Sequence, residues 1–467
     1  MKNILVISDN YSRGGLETQI YTLYEELKSK LDFTFVFGSY NEEWDFNDCK
    51  IYKDIKFDES SSINDFIQVV DKFVEIIKEN NIDLIHVHPF YLSIPAIIAS
   101  QIAEVPICYT YHGFLSLSFT YNINVHSIFQ FSMNEIFSKI FCVYKDINSY
   151  LNRNLRQQNC VFMPNPMDIN KYNKVEIINN SKWAFISRLS SDKFDSIIDV
   201  IKNIDILNIK ELHLYGSGDK EKYLKEYVKN NKLTKKIIFH GYTKQVSTEL
   251  KNAYNGIIGM GRVAEEGIAM QMPVMLCGYG KKCGIIDKNN YELARDNNFA
   301  PIFMKSLPVD EIAKQIADLS KKDYKSDIYE KFKKECSSKN IAKKYFEEYK
   351  SAIPVIRSNV VYFYNQLKEL NNKDDIFSNS IDVLNLINYY IRPQSLDLNM
   401  NLNISQNLMH INKMNLKVDE INNEINILNK KLIEIKKENE YIKDRINLKF
   451  LIRNTFKLLK NKIRRNK

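Results

Sequence analysis

Five short runs rich in β-branched and aromatic residues punctuate the first 145 residues: ILVI (4–7), FTFVF (33–37), LIHV (84–87), PICYTY (106–111) and IFCV (140–143). Helical patterns such as Glu17 to Leu31 and Ile63 to Glu79 lie between most of them. Strand, helix, strand in that order predicts a parallel sheet covered on both faces. After the proline-broken stretch MPNPMD (163–168) a second series starts at WAFI (183–186) and runs through ELHLYG, KIIFHG, GIIGMG and PVMLCG. Two Rossmann-like halves follow, divided near residue 175. The chain of 467 residues is long enough for about three units at roughly 150 residues each.

Glycine is scarce and unevenly placed. Ten of the 14 glycines fall between positions 216 and 284, and residues 285–467 contain none. Such a cluster marks tight turns or backbone brought close to a ligand. Charge is equally lopsided. Residues 449–467 hold eight Lys or Arg and no acid, which leaves 58 basic against 57 acidic residues in 1–448. A nearly neutral body excludes a nucleic-acid-binding body and puts the partner-seeking charge in the tail. The seven cysteines are scattered, without metal-ligand spacing, so neither a disulfide scaffold nor structural zinc organises the fold. No run approaches the ~18 apolar residues of a membrane span. The start MKNILVISDN reads as a first strand and not as a signal peptide, which predicts a cytoplasmic chain.

The chemistry-bearing residues gather at strand ends. The first strand leads into Asn10-Tyr-Ser-Arg-Gly-Gly-Leu-Glu17. Gly14 and Gly15 therefore sit at the carboxyl edge of the sheet, where ligands bind in open α/β folds. In the second half, one strand ends in Ser187-Arg188-Leu189 with Lys193 a turn later. Others end in Gly216-Ser-Gly218-Asp219, in Gly259-Met-Gly261-Arg262 followed by Glu265 and Glu266, and in Gly278-Tyr-Gly280. Glycine-lined helix starts present free N–H groups to an anion and the cations add fixed positive charge, a combination that describes a diphosphate site. No Asp-x-Asp metal motif stands at a strand end, so no metal ion or cofactor is called for.

These stretches, SRGGLET, HVHPF, TYHGF, MPNPMDINKY, ISRLSSDK, LHLYGSGDKEKYLKEYV, IIFHGY and GRVAEEGIAMQMPVMLCGYG, resemble the retaining, sugar-nucleotide-dependent glycosyltransferases of the GT-B architecture, specifically the large bacterial family 4 group. The resemblance covers roughly residues 1–350. It implies two Rossmann-like domains facing a cleft, 1–175 on the acceptor side and 176–352 on the nucleotide-sugar side. It further implies retaining transfer from a nucleotide diphosphate sugar to a glycan or lipid-linked acceptor in bacterial surface-polysaccharide synthesis. It carries Arg188 and Lys193 into the role of holding the donor diphosphate, His112 into that of facing the sugar and diphosphate, and Glu266, seven before Pro273, into that of binding the ribose. One of His86 and His88 is expected to line the acceptor side, and His240 to be structural. Arg13 and Glu17 border the first-domain loop, where they either touch acceptor or phosphate or serve the helix start. One departure stands out: the family's earlier glutamate, which contacts the donor sugar, is Ile258 here. Either sugar recognition has moved to backbone groups, Arg262 and Glu265, or the site is impaired and the chain is a catalytically silent scaffold. A sugar-nucleotide epimerase on the same fold fits the RLSSDK stretch and the crossover motif less well.

Beyond residue 352 the composition turns to Asn, Lys, Ile and Leu. A helical linker region (353–405) precedes a stretch, 406–447, in which steps of three and four from Ile411 to Ile446 meet an apolar residue at ten of eleven positions. That is a coiled-coil seam, and Asn439 at an a position favours a two-stranded homodimer. Residues 448–467 form a basic amphipathic pattern suited to an anionic membrane surface, which places the protein at the inner face of the plasma membrane. Two other partners suit these patterns, a fold-back of the seam helix on its own domain and a protein surface for the tail.

Overall fold

The computed structural model describes residues 2–11, 14–40, 46, 49–58, 60–113, 136–154, 159–175, 181–242, 250, 254–319 and 326–371. Arg13, the coiled-coil stretch 406–447 and the basic tail 448–467 lie outside the described residues.

Strands β1 (Lys2–Tyr11), β2 (Leu31–Tyr40), β3 (Lys50–Tyr52), β4 (Leu84–Val87), β5 (Ile107–Tyr111), β6 (Lys139–Cys142) and β7 (Cys160–Phe162) form one sheet in the order β3-β2-β1-β4-β5-β6-β7. Every neighbouring pair is parallel. Burial on both faces explains the unbroken apolar runs. Ile4 and Val6 of β1 point into one core with helices α1 (Gly15–Leu27) and α11 (Ser338–Ser351). Leu5 and Ile7 point into the other, with α2 (Ile63–Glu79), α3 (Ser93–Ala103), α4 (Lys145–Asn154) and α12 (Ser358–Asn371). Helix α2 shows why such a segment folds locally. Ser62 and Asp65 close a reciprocal capping box at its start, and Ile63, Phe66, Ile67, Val70, Phe73 and Ile77 make one buried stripe.

The second sheet has the order β10-β9-β8-β11-β12-β13, from β8 (Lys182–Ile186), β9 (Glu211–Tyr215), β10 (Ile237–Gly241), β11 (Gly256–Gly259), β12 (Val274–Gly278) and β13 (Lys281–Ile285). Only the last pair is antiparallel. Trp183 and Phe185 pack with α5 (Phe194–Lys202), α6 (Glu221–Asn230) and α9 (Val309–Asp318) on one face. On the other, α7 (Arg262–Ala269) packs with α8 (Tyr291–Asp296) and α10 (Ser326–Cys336). Both sheets reverse their strand order beside the first strand, at β1/β4 and at β8/β11. Ligand crevices in open α/β sheets lie at the carboxyl ends of strands at such a reversal.

Residues 309–352, expected within the nucleotide-sugar half, divide between the two sheets. Helices α9 and α10 close the second sheet, but α11 leaves it and lays Ile341, Ala342, Tyr345 and Tyr349 on the first. Helix α12, within the expected linker, adds Val360, Phe363, Tyr364 and Leu367 to the first sheet's other core. An amphipathic pattern fixes which face of a helix is buried and leaves open which sheet receives it. The chain thus crosses between the sheets twice. The crossings run side by side, with Met167 N–H donating to the Cys336 carbonyl and Ser338 N–H donating to the Met167 carbonyl, both at 2.8 Å.

Candidate active site

The loop after β8 carries both predicted diphosphate cations, in contrasting settings. The Lys193 side chain is 10% exposed, with its ammonium 3.3 Å from the Asp192 carboxylate and 3.7 Å from the centroid of the Tyr279 ring. Arg188 reaches outward, its side chain 76% exposed and Nη2 3.4 Å from Asp192. Asp192 is held below the usual carboxylate range, first by the Ser190 hydroxyl that donates to it and then by the two cations. An incoming anion would compete with Asp192 for both.

The glycines predicted to line the nucleotide have local structural reasons for their presence. Gly216 takes φ +139° and a Cβ there would collide with the Ser187 carbonyl; one at Gly218 would collide with that of Leu189. The β8 and β9 loops are pressed backbone to backbone, with Leu189 N–H donating to Ser217 O (2.9 Å) and Lys220 N–H to Leu189 O (2.8 Å). A Cβ at Gly278 would strike Met260, which itself packs against the first sheet's core. Gly280, at φ +71°, donates to the Ser196 hydroxyl in the first turn of α5 (2.7 Å). Between them Tyr279 stands in the left-handed region (φ 50°), 45% exposed.

Gly259 packs against Val263 and the Ile186 carbonyl, and Gly261, at φ +56°, opens α7. Arg262 then turns toward the first crossing. Its Nη1 donates to the Pro166 carbonyl (3.0 Å) and lies 3.6 Å from Glu265, while Nε lies 3.8 Å from Glu266. The Glu266 side chain is 16% exposed and accepts from the Tyr172 hydroxyl (3.1 Å). Burial raises its pKa and Arg262 opposes that rise. Glu265 is different: 1% exposed, with Oε2 lacking a hydrogen-bond partner, it is pushed up to about 7 by burial, against the pull of Arg262. A one-position step on a helix turns a side chain by about 100°. That step separates a partly accessible Glu266 from a Glu265 sealed inside, so the expected sugar contact from Glu265 meets a burial it must first overcome. Ile258, in the place of the family's glutamate, is fully buried in the second domain's core.

On the first sheet, His112 follows β5 and its Nε2 lies 2.8 Å from Nδ1 of His88. His86 and His88 are each 1% exposed, which removes both from the lining expected on the acceptor side. His86 bonds Thr110 through Nε2 and Tyr349 through Nδ1, both at 2.7 Å. Gly14 and Gly15 are exposed at the start of α1, and the Glu17 carboxylate folds back over Gly14. His240 belongs to a separate cluster, stacked on Tyr215 and 2.8 Å from His213.

Four features escape a reading by motif. Asp9 at the end of β1 accepts from the N–H groups of Tyr91 (2.7 Å) and Leu92 (2.8 Å) and is pushed up to about 6 by burial. Lys145 pairs with Asp296 (2.9 Å) and Asn165 donates to Asn298 (2.7 Å), both between residues of the two halves. Tyr172 and Tyr279 touch Glu266 and Lys193. The signal for Tyr279 was present: an aromatic residue flanked by two glycines at a strand's carboxyl end.

Residues 13–171 match the family described as Glycosyltransferase Family 4. The fold is GT-B, and solved structures share it at low identity. HepE from Anabaena, solved with UDP and glucose, is 18% identical with a TM-score of 0.56, covering 75% of this chain and 100% of that one. A glycosyltransferase from Rickettsia africae is 15% identical with a TM-score of 0.52, over 80% and 99%. Sucrose-phosphate synthase from Thermosynechococcus elongatus is 13% identical with a TM-score of 0.51, over 80% and 100%. No curated protein matches the sequence significantly. Together the family match and the fold support a GT-B glycosyltransferase.

Proposed function

We propose that the protein transfers a sugar, with retention of anomeric configuration, from a nucleoside diphosphate sugar to a glycan or lipid-linked acceptor in the synthesis of a cell-surface polysaccharide. The observation that carries the reading is the buried Lys193 side chain, its ammonium between Asp192 and the Tyr279 ring at the sheet's reversal point, with exposed Arg188 beside it. The barrier is departure of the nucleoside diphosphate from the anomeric carbon. Two preorganised cations and the N–H groups at the start of α7 would stabilise that leaving group, at a few kcal/mol per well-placed donor. Glu266, accessible at its rim, would take the ribose hydroxyls, and His112 would face the sugar and the diphosphate. The match to Glycosyltransferase Family 4 and the HepE complex with UDP and glucose support a nucleotide-sugar donor.

Ile258 was the main support for a silent scaffold. As a core residue it bears on the packing of β11 and leaves the cations, Glu266 and His112 in place. The seam at 411–446 and the tail at 448–467 complete the proposal, as a dimer held at an anionic membrane where lipid-linked acceptors reside. Calorimetry and slow-hydrolysis assays of the full chain against a panel of nucleoside diphosphate sugars test it, with NMR of the product anomer for retention. Tight binding and hydrolysis of one donor are expected. Absence of binding to every member would favour the scaffold.

A further inference from the structure

His88 follows β4 and His112 follows β5, its parallel neighbour, so the two rings meet although they are 24 positions apart in sequence. Ring nitrogens 2.8 Å apart share one proton, one donating and the other accepting. Burial keeps both imidazoles neutral, pushing His112 down to about 3 and His88 well below its ordinary value. The groups that act on the pair are other rings. His86 lies against His88 with centroids 4.4 Å apart and the rings tilted by 38°, and is pinned in turn by Thr110 and Tyr349. Among the described residues no carboxylate acts on any of the three. Nε2 of His112 is therefore occupied, and Nδ1 is the nitrogen left for a ligand. An oxygen of a diphosphate offers only lone pairs, so the Nδ1 that meets it must carry the proton.

We propose that His88 is a positioning residue: donating from Nδ1 to Nε2 of His112, it holds His112 as the neutral Nδ1–H tautomer, which presents a hydrogen-bond donor to an oxygen of the bound nucleoside diphosphate sugar. The assignment of that ligand rests on the proposed function. The direction in which the two rings share their proton is chosen for that ligand, and its measurement needs no donor sugar.

Two variants separate the donor from bulk. His88→Asn keeps an N–H near the position of Nδ1, whereas His88→Leu fills the space without one. With the donor identified by the panel, His88→Leu should lower turnover roughly tenfold to a hundredfold, the range for losing a group that orients a ligating histidine, and His88→Asn should recover most of it. In a His112→Ala background the same His88→Leu step should change turnover less than about twofold, because a residue that acts through another has nothing left to act on. The ring-nitrogen NMR signals of the full chain labelled with ¹⁵N-histidine provide a readout that needs no donor. His112 should be neutral and protonated on Nδ1 from about pH 6 to 8, and should lose that uniform state in folded His88→Leu protein. Protonation on Nε2 in the wild type, an unchanged His112 signal in His88→Leu, or equal losses in both backgrounds would overturn the proposal. Failure of every donor in the panel would count against the proposed function and leave the tautomer measurement standing.

Discussion

At the scale of single residues, accessibility separates side chains that can meet a ligand from those that hold the fold. The Arg188 side chain is largely exposed and, among the described residues, is paired with Asp192 alone. Arg188→Ala should therefore leave the melting temperature unchanged and lower turnover about a hundredfold, about 3 kcal/mol on the barrier. Full turnover in the folded variant would remove it from the mechanism. Glu265 is the opposite case. Its folded pKa of about 7 stands above the ordinary 4.5, so the folded state keeps a proton that the unfolded state releases. Stability falls as pH rises from about 4.5 to about 7, by a total of roughly 3 kcal/mol. Glu265→Gln removes that dependence. Thermal melts should show the two proteins alike near pH 4.5 and the variant more stable by pH 8, and a constant difference across that range would contradict a buried, titrating carboxyl.

At the scale of elements, most of the architecture was legible because most strands carry a short apolar run and helical patterns lie between them. The cations and Glu266 were legible because strand ends are where such residues matter. Four things were not. The glycines at 216 and 218 read as ligand-lining, but their reason is a backbone carbonyl that only they can approach. Glu265 and Glu266 are adjacent in sequence and indistinguishable there, and only helix phase buries one of them. The His88 and His112 pair needed strand register as well as motif, because β4 and β5 place the two histidines on neighbouring ends. Helix α11 is the largest miss, and it yields a prediction. Its Tyr345 and Tyr349 are fully buried on the first sheet, with Tyr349 bonded to His86 and Tyr345 accepting from Gln19 (3.1 Å). A chain ending after Ser337 would expose that face, and losing even one such aromatic side chain costs about 3–5 kcal/mol. It should fail to melt cooperatively, whereas a chain ending after Asn371 should melt like the full protein. Cooperative melting of the shorter chain would show that α11 is dispensable.

At the scale of the whole molecule, the proposed dimer and the proposed membrane contact both rest on the sequence beyond residue 371. The proposed seam from Ile411 to Ile446 has mixed flanking charge: in a parallel pair Glu438 and Lys443 would attract, and Lys431 and Lys436 would repel. The association should be moderate and weaken with salt. Sedimentation should give dimers for the full chain and monomers for one ending near residue 405; the same oligomer in both would move the interface elsewhere. The tail builds on that dimer. Among the described residues no helix is long and apolar enough to cross a membrane. On a helical wheel Leu448, Leu451, Ile452, Phe456, Leu459 and Ile463 share one face, with Lys449, Arg453, Lys457, Lys460 and Arg464 on the other. Each basic residue near an anionic leaflet is worth about 1 kcal/mol within a Debye length of the surface. Two tails on the proposed dimer would double the anchor, making binding reversible for one copy and durable for the pair. The full chain should pellet with anionic vesicles and not with neutral ones, lose binding as salt rises, and lose it when residues 449–467 are removed. A chain that keeps the tail but ends the seam's pairing, through Ile425→Asp and Leu432→Asp, should still pellet, at lower affinity and with a shallower salt dependence. If the chain without residues 449–467 pellets as well as the full one, the tail is not the anchor. If the unpaired chain binds as tightly as the dimer, each tail is sufficient by itself and the coiled coil serves some other purpose than avidity.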